Sequence, residues 1–189
     1  MSRLDLRLAA LLAALSAPAF AQEVTDGPGP NLVIEVTGTA NGAVVIDLLP
    51  EVAPQHVAQI VALAKAGAYD GVVFHRVIDG FMAHTGDVQF GLAWGDLSMA
   101  GMGGSEMHDI PAEFTNELSF QRGVVGMARA ADPDSANSQF FIMFAPGEFL
   151  DGQYTIVGNV VSGMEVVDAI QRGEPPMTPD VMTKVTVQE

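Results

Sequence analysis

Short β-rich segments, separated by turn residues, constrain the fold of this chain more than any other feature of its sequence. The first two lie at 32–37 and 43–49, around the Asn41-Gly42 pair that is typical of a hairpin turn. We count about eight such segments, and this density of short strands favours a sandwich or a barrel. The other clear candidates lie at 124–129, 139–144, 155–161 and 184–188.

Two helices are predicted between these strands. The first has Pro54 in its first turn, a single apolar stripe and Gly67 at its end. The second is short, covers 164–170 and ends at Gly173. Two amphipathic helices can cover the open ends of a barrel. The chain of 189 residues shows no internal repeat and no linker, which predicts one domain with a sizeable core.

The N-terminus has the pattern of a secretory signal peptide. A charged start precedes an apolar run at 8–15, and Ala19-Phe20-Ala21 supplies the cleavage signal. The run is too short for a transmembrane helix. We therefore predict cleavage after Ala21 and a periplasmic or secreted protein that does not insert into a membrane. The predicted units are a signal peptide at 1–21, a flexible leader at 22–30 and one folded domain at 31–189.

The composition excludes several classes of function. Of 8 basic and 23 acidic residues, Arg3, Arg7 and Asp5 belong to the signal peptide, which leaves 6 and 22 in the mature chain. A chain this acidic repels nucleic acid. The sequence has no cysteine, which excludes thiol, disulfide and cysteine-metal chemistry. Its histidines lack metal-ligand spacing. We expect no metal, no cofactor and a monomer.

The segment 74–87 carries the most unusual residue pattern. It places Arg76 beside Phe74, Ile78, Phe81 and Met82, although an unpaired charge is costly to bury. One interpretation is a site in which a fixed hydrogen-bond donor faces an apolar pocket. The other is a core strand whose arginine extends its guanidinium to water. This segment alone leaves both interpretations open.

Three ordered motifs carry a resemblance to a known family. The run Phe74-His75-Arg76-Val77-Ile78, continued by Gly80-Phe81-Met82 and Gly86-Asp87, resembles the signature of the cyclophilin family of peptidyl-prolyl cis-trans isomerases. Met127-Ala128-Arg129 with the segment 135–142, and then Phe149-Leu150-Asp151-Gly152, are similar to its later motifs. The resemblance extends from residue 32 to the C-terminus. It implies a closed eight-stranded antiparallel barrel capped by two α-helices, in agreement with the strand count.

The chemistry of this family needs no nucleophile and no metal. Rotation about an X-Pro bond breaks amide resonance and has a barrier of ~18–20 kcal/mol. A catalyst must bind the twisted amide better than either planar form. The resemblance implies that Arg76 donates to the proline nitrogen, which gains a lone pair in the twisted state. It assigns substrate binding to Phe81, Met82, His84, Ala128, the backbone of Arg129, Gln139, Phe141, Phe149, Leu150 and Tyr154.

Strand alternation tests part of this assignment. It places Gln139, Phe141 and Met143 on one face of a strand, so the first two can line a site together. Gln139 is then expected to hold Arg76 or the substrate backbone. The alternate residues of this strand, Phe140, Ile142 and Phe144, are expected to be plain core. Alternation does not allow two successive residues, Phe81 and Met82, to face one pocket, which requires a strand end or a local twist there.

Several residues depart from the family pattern. His84 replaces a glutamine, and we hypothesise that it contacts the substrate carbonyl and lowers activity at mildly acidic pH, because protonated histidine only donates. The alternative is a surface histidine with little effect. Asp79 replaces a common proline. Phe149 replaces the tryptophan of many eukaryotic members, so weak binding of cyclosporin A is expected, and Tyr154 replaces a histidine. His75 is interpreted as a structural hydrogen-bonding residue.

Three functions are compatible with these features. The first is a peptidyl-prolyl cis-trans isomerase that acts on proline-containing polypeptides outside the cytoplasm. The second is a proline-peptide-binding chaperone module that keeps the pocket but has little turnover. The third, a barrel that carries a small apolar ligand, is disfavoured because side chains fill the interior of small barrels.

Overall fold

The computed structural model describes residues 26–189, so the predicted signal peptide lies outside the described residues. One antiparallel sheet of nine strands forms the body of the molecule, in the order β3-β9-β1-β2-β8-β6-β7-β5-β4. The strands are β1 (Asn31–Thr37), β2 (Gly42–Leu48), β3 (Val72–Val73), β4 (Arg76–Ile78), β5 (Met82–Thr85), β6 (Val124–Met127), β7 (Phe140–Met143), β8 (Ile156–Ser162) and β9 (Val181–Gln188). The helices are α1 (Pro54–Lys65) and α2 (Met164–Ala169).

The sheet is a curled, open half-barrel, and the prediction of a closed eight-stranded barrel is wrong. Its edge strands β3 and β4 follow each other in the chain but do not pair, since β3 pairs only with β9 and β4 only with β5. The outer edge of β4 is occupied by the loop that follows α2. There Val77 N donates to Gly173 O over 2.8 Å, and Gly173 N donates to Val77 O over 2.9 Å. Because Gly173 takes these backbone groups, the edge cannot close onto β3.

The sheet separates two apolar clusters. The larger cluster packs the sheet against both helices and includes Phe140 and Ile142 of β7. The smaller cluster includes the alternate residues of the same strand, Phe141 and Met143. This division is the one that strand alternation predicted. Each such side chain contributes about 1.5–3 kcal/mol when it is fully buried.

A distant carboxylate caps the N-terminus of α1. The residue at the cap position, Ala53, offers no side-chain hydrogen bond. Instead Glu113 accepts hydrogen bonds from the backbone N–H groups of Gln55 and His56, and its Oε2 lies 2.6 Å from the buried Nδ1 of His56. A negative group is favourable at this end of a helix. The contact therefore attaches the long segment between β5 and β6 to the helical layer.

The segment that precedes β1 is attached to the sheet by a hydrogen bond. Gly27, in the predicted leader, donates its N–H to Asp47 Oδ2 over 3.0 Å.

No helix within residues 26–189 has both the length and the apolar character needed to cross a membrane.

Candidate active site

The centre of the site is one row of residues that crosses four strands. Arg76 of β4 lies opposite His84 of β5, His84 lies opposite Phe141 of β7, and Phe141 lies opposite Gly126 of β6. Directly opposed residues project from the same face of a sheet. The pleat therefore places a guanidinium, an imidazole and an aromatic ring side by side.

Gly126 makes room for the aromatic end of this row. A Cβ atom at this position would lie 2.6 Å from Phe141 Cζ and 2.6 Å from Phe120 Cε1, closer than real Cβ contacts allow. The rings of Phe120 and Phe141 stack with their centroids 5.7 Å apart. Glycine inside a strand commonly marks such a close approach, so the sequence carried a signal for this residue that our prediction missed.

A cavity of about 470 Å³ opens over this row. It brings together all the residues assigned by the resemblance except Gln139. Its lining also includes Gln153, which the sequence did not predict. The lining residues are Arg76, Phe81, Met82, His84, Ala128, Arg129, Phe141, Phe149, Leu150, Gln153 and Tyr154. We call this cavity the proline pocket, after the ligand that the resemblance implies.

Phe81 and Met82 both reach the proline pocket because the strand begins between them. Met82 is the first residue of β5, whereas Phe81 lies in the preceding turn, with its N–H bonded to Ile78 O and its carbonyl accepting from Phe144 N. The ring of Phe81 packs 5.6 Å from that of Phe149, which is 65% exposed at the rim. The expected strand end is therefore present.

Arg76 is held from one side by a residue that the sequence did not indicate. Its Nε donates to Glu174 Oε2 over 2.8 Å, across 98 positions of the chain. Among the described residues, no other group accepts from this guanidinium, so its two Nη groups remain available to a ligand. Both side chains are about half exposed. The ion pair orients the guanidinium without burying it.

A second cavity of about 590 Å³ adjoins the proline pocket and shares His84, Ala128 and Arg129 with it. We call it the loop pocket, because the segment 101–105 forms much of its wall. Met102 lies on this wall and is 74% exposed.

Gln139 holds this loop rather than Arg76. Its Nε2 donates to Gly101 O over 3.1 Å and to Gly103 O over 2.7 Å. The buried carboxylate of Asp87 accepts from the backbone N–H groups of the same two glycines, and from those of Gln89 and Phe90. The loop wall is thus fixed from both sides by side chains of the sheet region, and Gln139 lines the loop pocket only.

Arg129 lies at the boundary between the two pockets. Its Nε and Nη2 donate to Gln153 O over 3.1 and 3.0 Å, and its Nη1 donates to Ala130 O and Ala131 O. The guanidinium carbon lies 4.6 Å from the centre of the Tyr154 ring. The side chain is therefore fixed, whereas the resemblance assigned a role only to its backbone.

His84, which is partly exposed to both pockets, pairs with the buried His75 beneath the boundary. Their rings lie 4.5 Å apart, and within residues 26–189 neither nitrogen of His75 nor Nε2 of His84 has a hydrogen-bond partner. Burial, followed by the positive fields of His75 and Arg76, lowers the pKa of His84 to about 3. Burial also lowers the pKa of His75 to about 4, although Asp87 opposes the shift.

This burial changes two expectations about the histidines. The lowered pKa favours the neutral form of His84 at mildly acidic pH, so we now expect its protonation to have little effect on activity there. His75 is a packing residue and not the hydrogen-bonding residue we expected, because neither ring nitrogen has a partner in the described part of the chain.

The described residues contain no group of three or more histidine, aspartate or glutamate side chains arranged to hold a metal ion. The geometry instead offers fixed guanidinium donors beside an apolar cavity.

Comparison with known protein families agrees with this geometry. The family model described as cyclophilin type peptidyl-prolyl cis-trans isomerase/CLD matches residues 32–188. A probable peptidyl-prolyl cis-trans isomerase of Brucella suis biovar 1 is 49% identical over 187 residues, which cover 95% of this chain and 93% of that protein. A peptidyl-prolyl cis-trans isomerase of Schizosaccharomyces pombe is 38% identical over 133 residues, which cover 68% of this chain and 78% of that protein.

Solved structures share the fold. A cyclophilin from Hirschia baltica superposes with a TM-score of 0.69 at 29% identity and covers 82% of this chain and 73% of its own. A cyclophilin of Cryptosporidium parvum, crystallised in the presence of the dipeptide Ala-Pro, gives a TM-score of 0.72 at 24% identity, with 84% and 99% coverage. The chain therefore belongs to the cyclophilin family of peptidyl-prolyl cis-trans isomerases.

Proposed function

We propose that this isomerase accelerates X-Pro rotation by donating a hydrogen bond from Arg76 to the nitrogen of the twisted proline amide. The observation that supports this proposal is that the Arg76 guanidinium lines the apolar proline pocket and that both of its Nη groups are available to a ligand. The pocket takes the proline ring, and the guanidinium supplies a donor aimed at the charge that develops in the transition state. An arginine keeps this charge at any physiological pH.

Substitution of Arg76 tests the mechanism. We expect Arg76→Ala to lower kcat/KM by about 10²–10³, the usual loss on removing one such donor. Arg76→Lys is expected to recover only part of this loss, since a lysine lacks the rigid planar fork. Arg122→Ala is the matched control, because Arg122 pairs with Asp168 and lines neither pocket. Full activity in Arg76→Ala would remove the mechanism.

The second candidate is a binding module with little turnover. The open pocket, taken by itself, is as compatible with this function as with an isomerase. NMR exchange spectroscopy on an X-Pro peptide separates the two functions. An isomerase raises the cis-trans exchange rate at substoichiometric protein. A binding module shifts the peptide resonances but leaves the exchange rate unchanged.

We also propose that the chain is exported and acts on proline-containing polypeptides in the periplasm or outside the cell. The support is the charged start, apolar run and Ala19-Phe20-Ala21 signal in the sequence. N-terminal sequencing of the protein from its native host tests this proposal, and a mature chain that begins at Gln22 is expected. A chain that retains residues 1–21 in a cytosolic fraction would contradict it.

We propose in addition that this protein binds cyclosporin A weakly and that it is a monomer. Phe149 offers a smaller ring than tryptophan and has no indole N–H donor. We expect Phe149→Trp to tighten cyclosporin A binding by about tenfold, equivalent to about 1.4 kcal/mol, as measured by calorimetry. Sedimentation at micromolar concentration is expected to give the mass of one chain.

A further inference from the structure

The boundary between the two pockets carries a cation whose charge is not offset by a carboxylate. Five of the six lysines and arginines in residues 26–189 form an ion pair, each at 3.1 Å or less. Arg129 is the sixth, and all its partners are backbone carbonyls. Carbonyl groups orient a guanidinium but carry no net charge to neutralise it. In so acidic a chain, an arginine without a carboxylate partner is unusual.

The same site is poor in negative groups. Two guanidiniums and no carboxylate line the proline pocket. The loop pocket contains one carboxylate, Asp109, and its Oδ1 already accepts from Asn137 Nδ2 over 2.9 Å. Because Glu174 pairs with Arg76, the positive charge that this wall retains is that of Arg129, in a chain of 23 acidic and 8 basic residues.

Arg129 is also placed and oriented to meet a substrate side chain. It lines both pockets, so a residue next to a bound proline passes it on the way from one pocket to the other. Its hydrogen bonds use four of the five N–H groups of a guanidinium, which leaves one N–H on Nη2 for a ligand. The ring of Tyr154 and the three carbonyl groups hold it in place. Little side-chain entropy is then lost on pairing.

We infer that the Arg129 side chain gives this enzyme a preference for prolines with a neighbouring aspartate or glutamate. This inference rests on the proposed isomerase function and names a substrate class for the same site. The overall negative field opposes the approach of acidic peptides, but salt screens it over a Debye length of about 8 Å at 0.15 M. A contact with Arg129 is shorter than that distance and is screened less. An exposed ion pair changes a binding constant by at most about fivefold.

The test compares matched peptides in which Glu or Gln lies directly before, or directly after, a single proline. We expect wild-type kcat/KM at 0.15 M salt to be about threefold to fivefold higher for Glu than for Gln at one of these positions. Arg129→Gln is expected to reduce that ratio to about one, and Arg129→Lys to keep part of it. Arg122→Gln removes the same charge from a remote ion pair and is expected to keep the full ratio.

The outcomes separate this inference from the function on which it rests. Turnover of the Gln peptides with no preference for Glu, or a preference that persists in Arg129→Gln, overturns the inference alone. If no peptide is isomerised, the proposed function fails. In that case, NMR titration gives the dissociation constants of the Glu and Gln peptides. Tighter binding of the Glu peptide by wild type, but not by Arg129→Gln, would support the inference, and equal binding would overturn it. Far-UV circular dichroism of each variant excludes a loss of folding as the cause.

Discussion

The proline pocket and the loop pocket share a boundary but are built in different ways. Opposed residues of three strands, β4, β5 and β7, line the floor of the proline pocket, so backbone pairing fixes their spacing. The loop pocket depends on backbone groups of Gly101 and Gly103, which two side chains, Asp87 and Gln139, hold in place. We therefore expect the sheet-built pocket to tolerate the loss of one side chain better than the loop pocket, whose wall is held by only these two side chains.

The largest expected effect concerns the loop pocket, through Asp87. Asp87→Ala leaves four backbone N–H groups without their acceptor. With about 1–3 kcal/mol for each buried group left unpaired, and partial access of water, we expect a loss of about 4 kcal/mol. Urea unfolding measures it. Asp96→Ala is the matched control, since Asp96 caps only Ser98 N in an exposed turn. Equal destabilisation by the two variants would contradict the role given to Asp87.

His84, at the boundary, is expected to make the folded protein sensitive to acid. Unfolded histidine has a pKa of about 6.5, whereas the folded value is about 3. Below pH 6.5 the unfolded chain therefore binds a proton that the folded chain does not, and stability falls by about 1.4 kcal/mol per pH unit. The stability linked to His84 is therefore complete at neutral pH, and it falls as the pH decreases from 6.5 toward the folded pKa.

Urea unfolding of wild type and His84→Gln between pH 7 and 4.5 tests this linkage. The variant is expected to lose about 3 kcal/mol less than wild type over this range. His108→Gln, an exposed histidine, is the control and should follow wild type. Parallel curves for wild type and His84→Gln would show that His84 titrates normally. The pH profiles of kcat/KM from pH 5 to 8 are expected to coincide for wild type and His84→Gln.

Gly126 tests the sheet-built floor and has a smaller expected effect. Gly126→Ala places a methyl group against Phe141 and Phe120, and overpacking of this kind costs about 1–3 kcal/mol. The displaced Phe141 ring narrows the proline pocket, so KM for an X-Pro peptide should rise. Gly95→Ala is the control, because a Cβ there would approach no atom more closely than Leu92 O, at 3.3 Å. An unchanged KM in Gly126→Ala would show that the ring relaxes away from the pocket.

The sequence predicted the sheet-built region far better than the loop-built one. Strand alternation placed Phe141 and Met143 on the site face and Phe140 and Ile142 in the core, because the period of a strand is fixed by its backbone. The closed barrel was implied by the family resemblance, and nothing local in the sequence indicates that Gly173 occupies the edge of β4.

The missed contacts all join residues that are distant in the chain. Gln139 was expected to hold Arg76 or the substrate backbone, and its Nε2 holds a loop 36 residues away instead of Arg76. Glu174 reaches Arg76 across 98 positions. Such pairs depend on how loops fold back onto the sheet, and no periodicity or spacing reports that. Family resemblance transfers the positions of the motif residues, but it does not transfer the side chains that orient them.

Glu174 gives the smallest and most specific test of the sheet-built site. It accepts a hydrogen bond from Nε of Arg76, a residue that lines the proline pocket, and leaves both Nη groups without a partner among the described residues. The pair is exposed, so its contribution is at most about 1 kcal/mol. We expect Glu174→Ala to lower kcat about twofold to fivefold with little change in KM, because the donor is needed most in the twisted state. Glu174→Gln keeps an acceptor for Nε and should recover part of kcat.

Asp168→Ala is the matched control for Glu174, since it breaks another exposed ion pair, to Arg122, away from both pockets. Both variants should lose similar, small amounts of stability in urea. Under the proposed mechanism only Glu174→Ala should lose kcat, because Arg76 lines the proline pocket and Arg122 lines neither pocket. A drop in kcat of the same size in Asp168→Ala would show that the effect comes from net charge. An unchanged kcat in Glu174→Ala would show that strand pairing alone orients the Arg76 guanidinium.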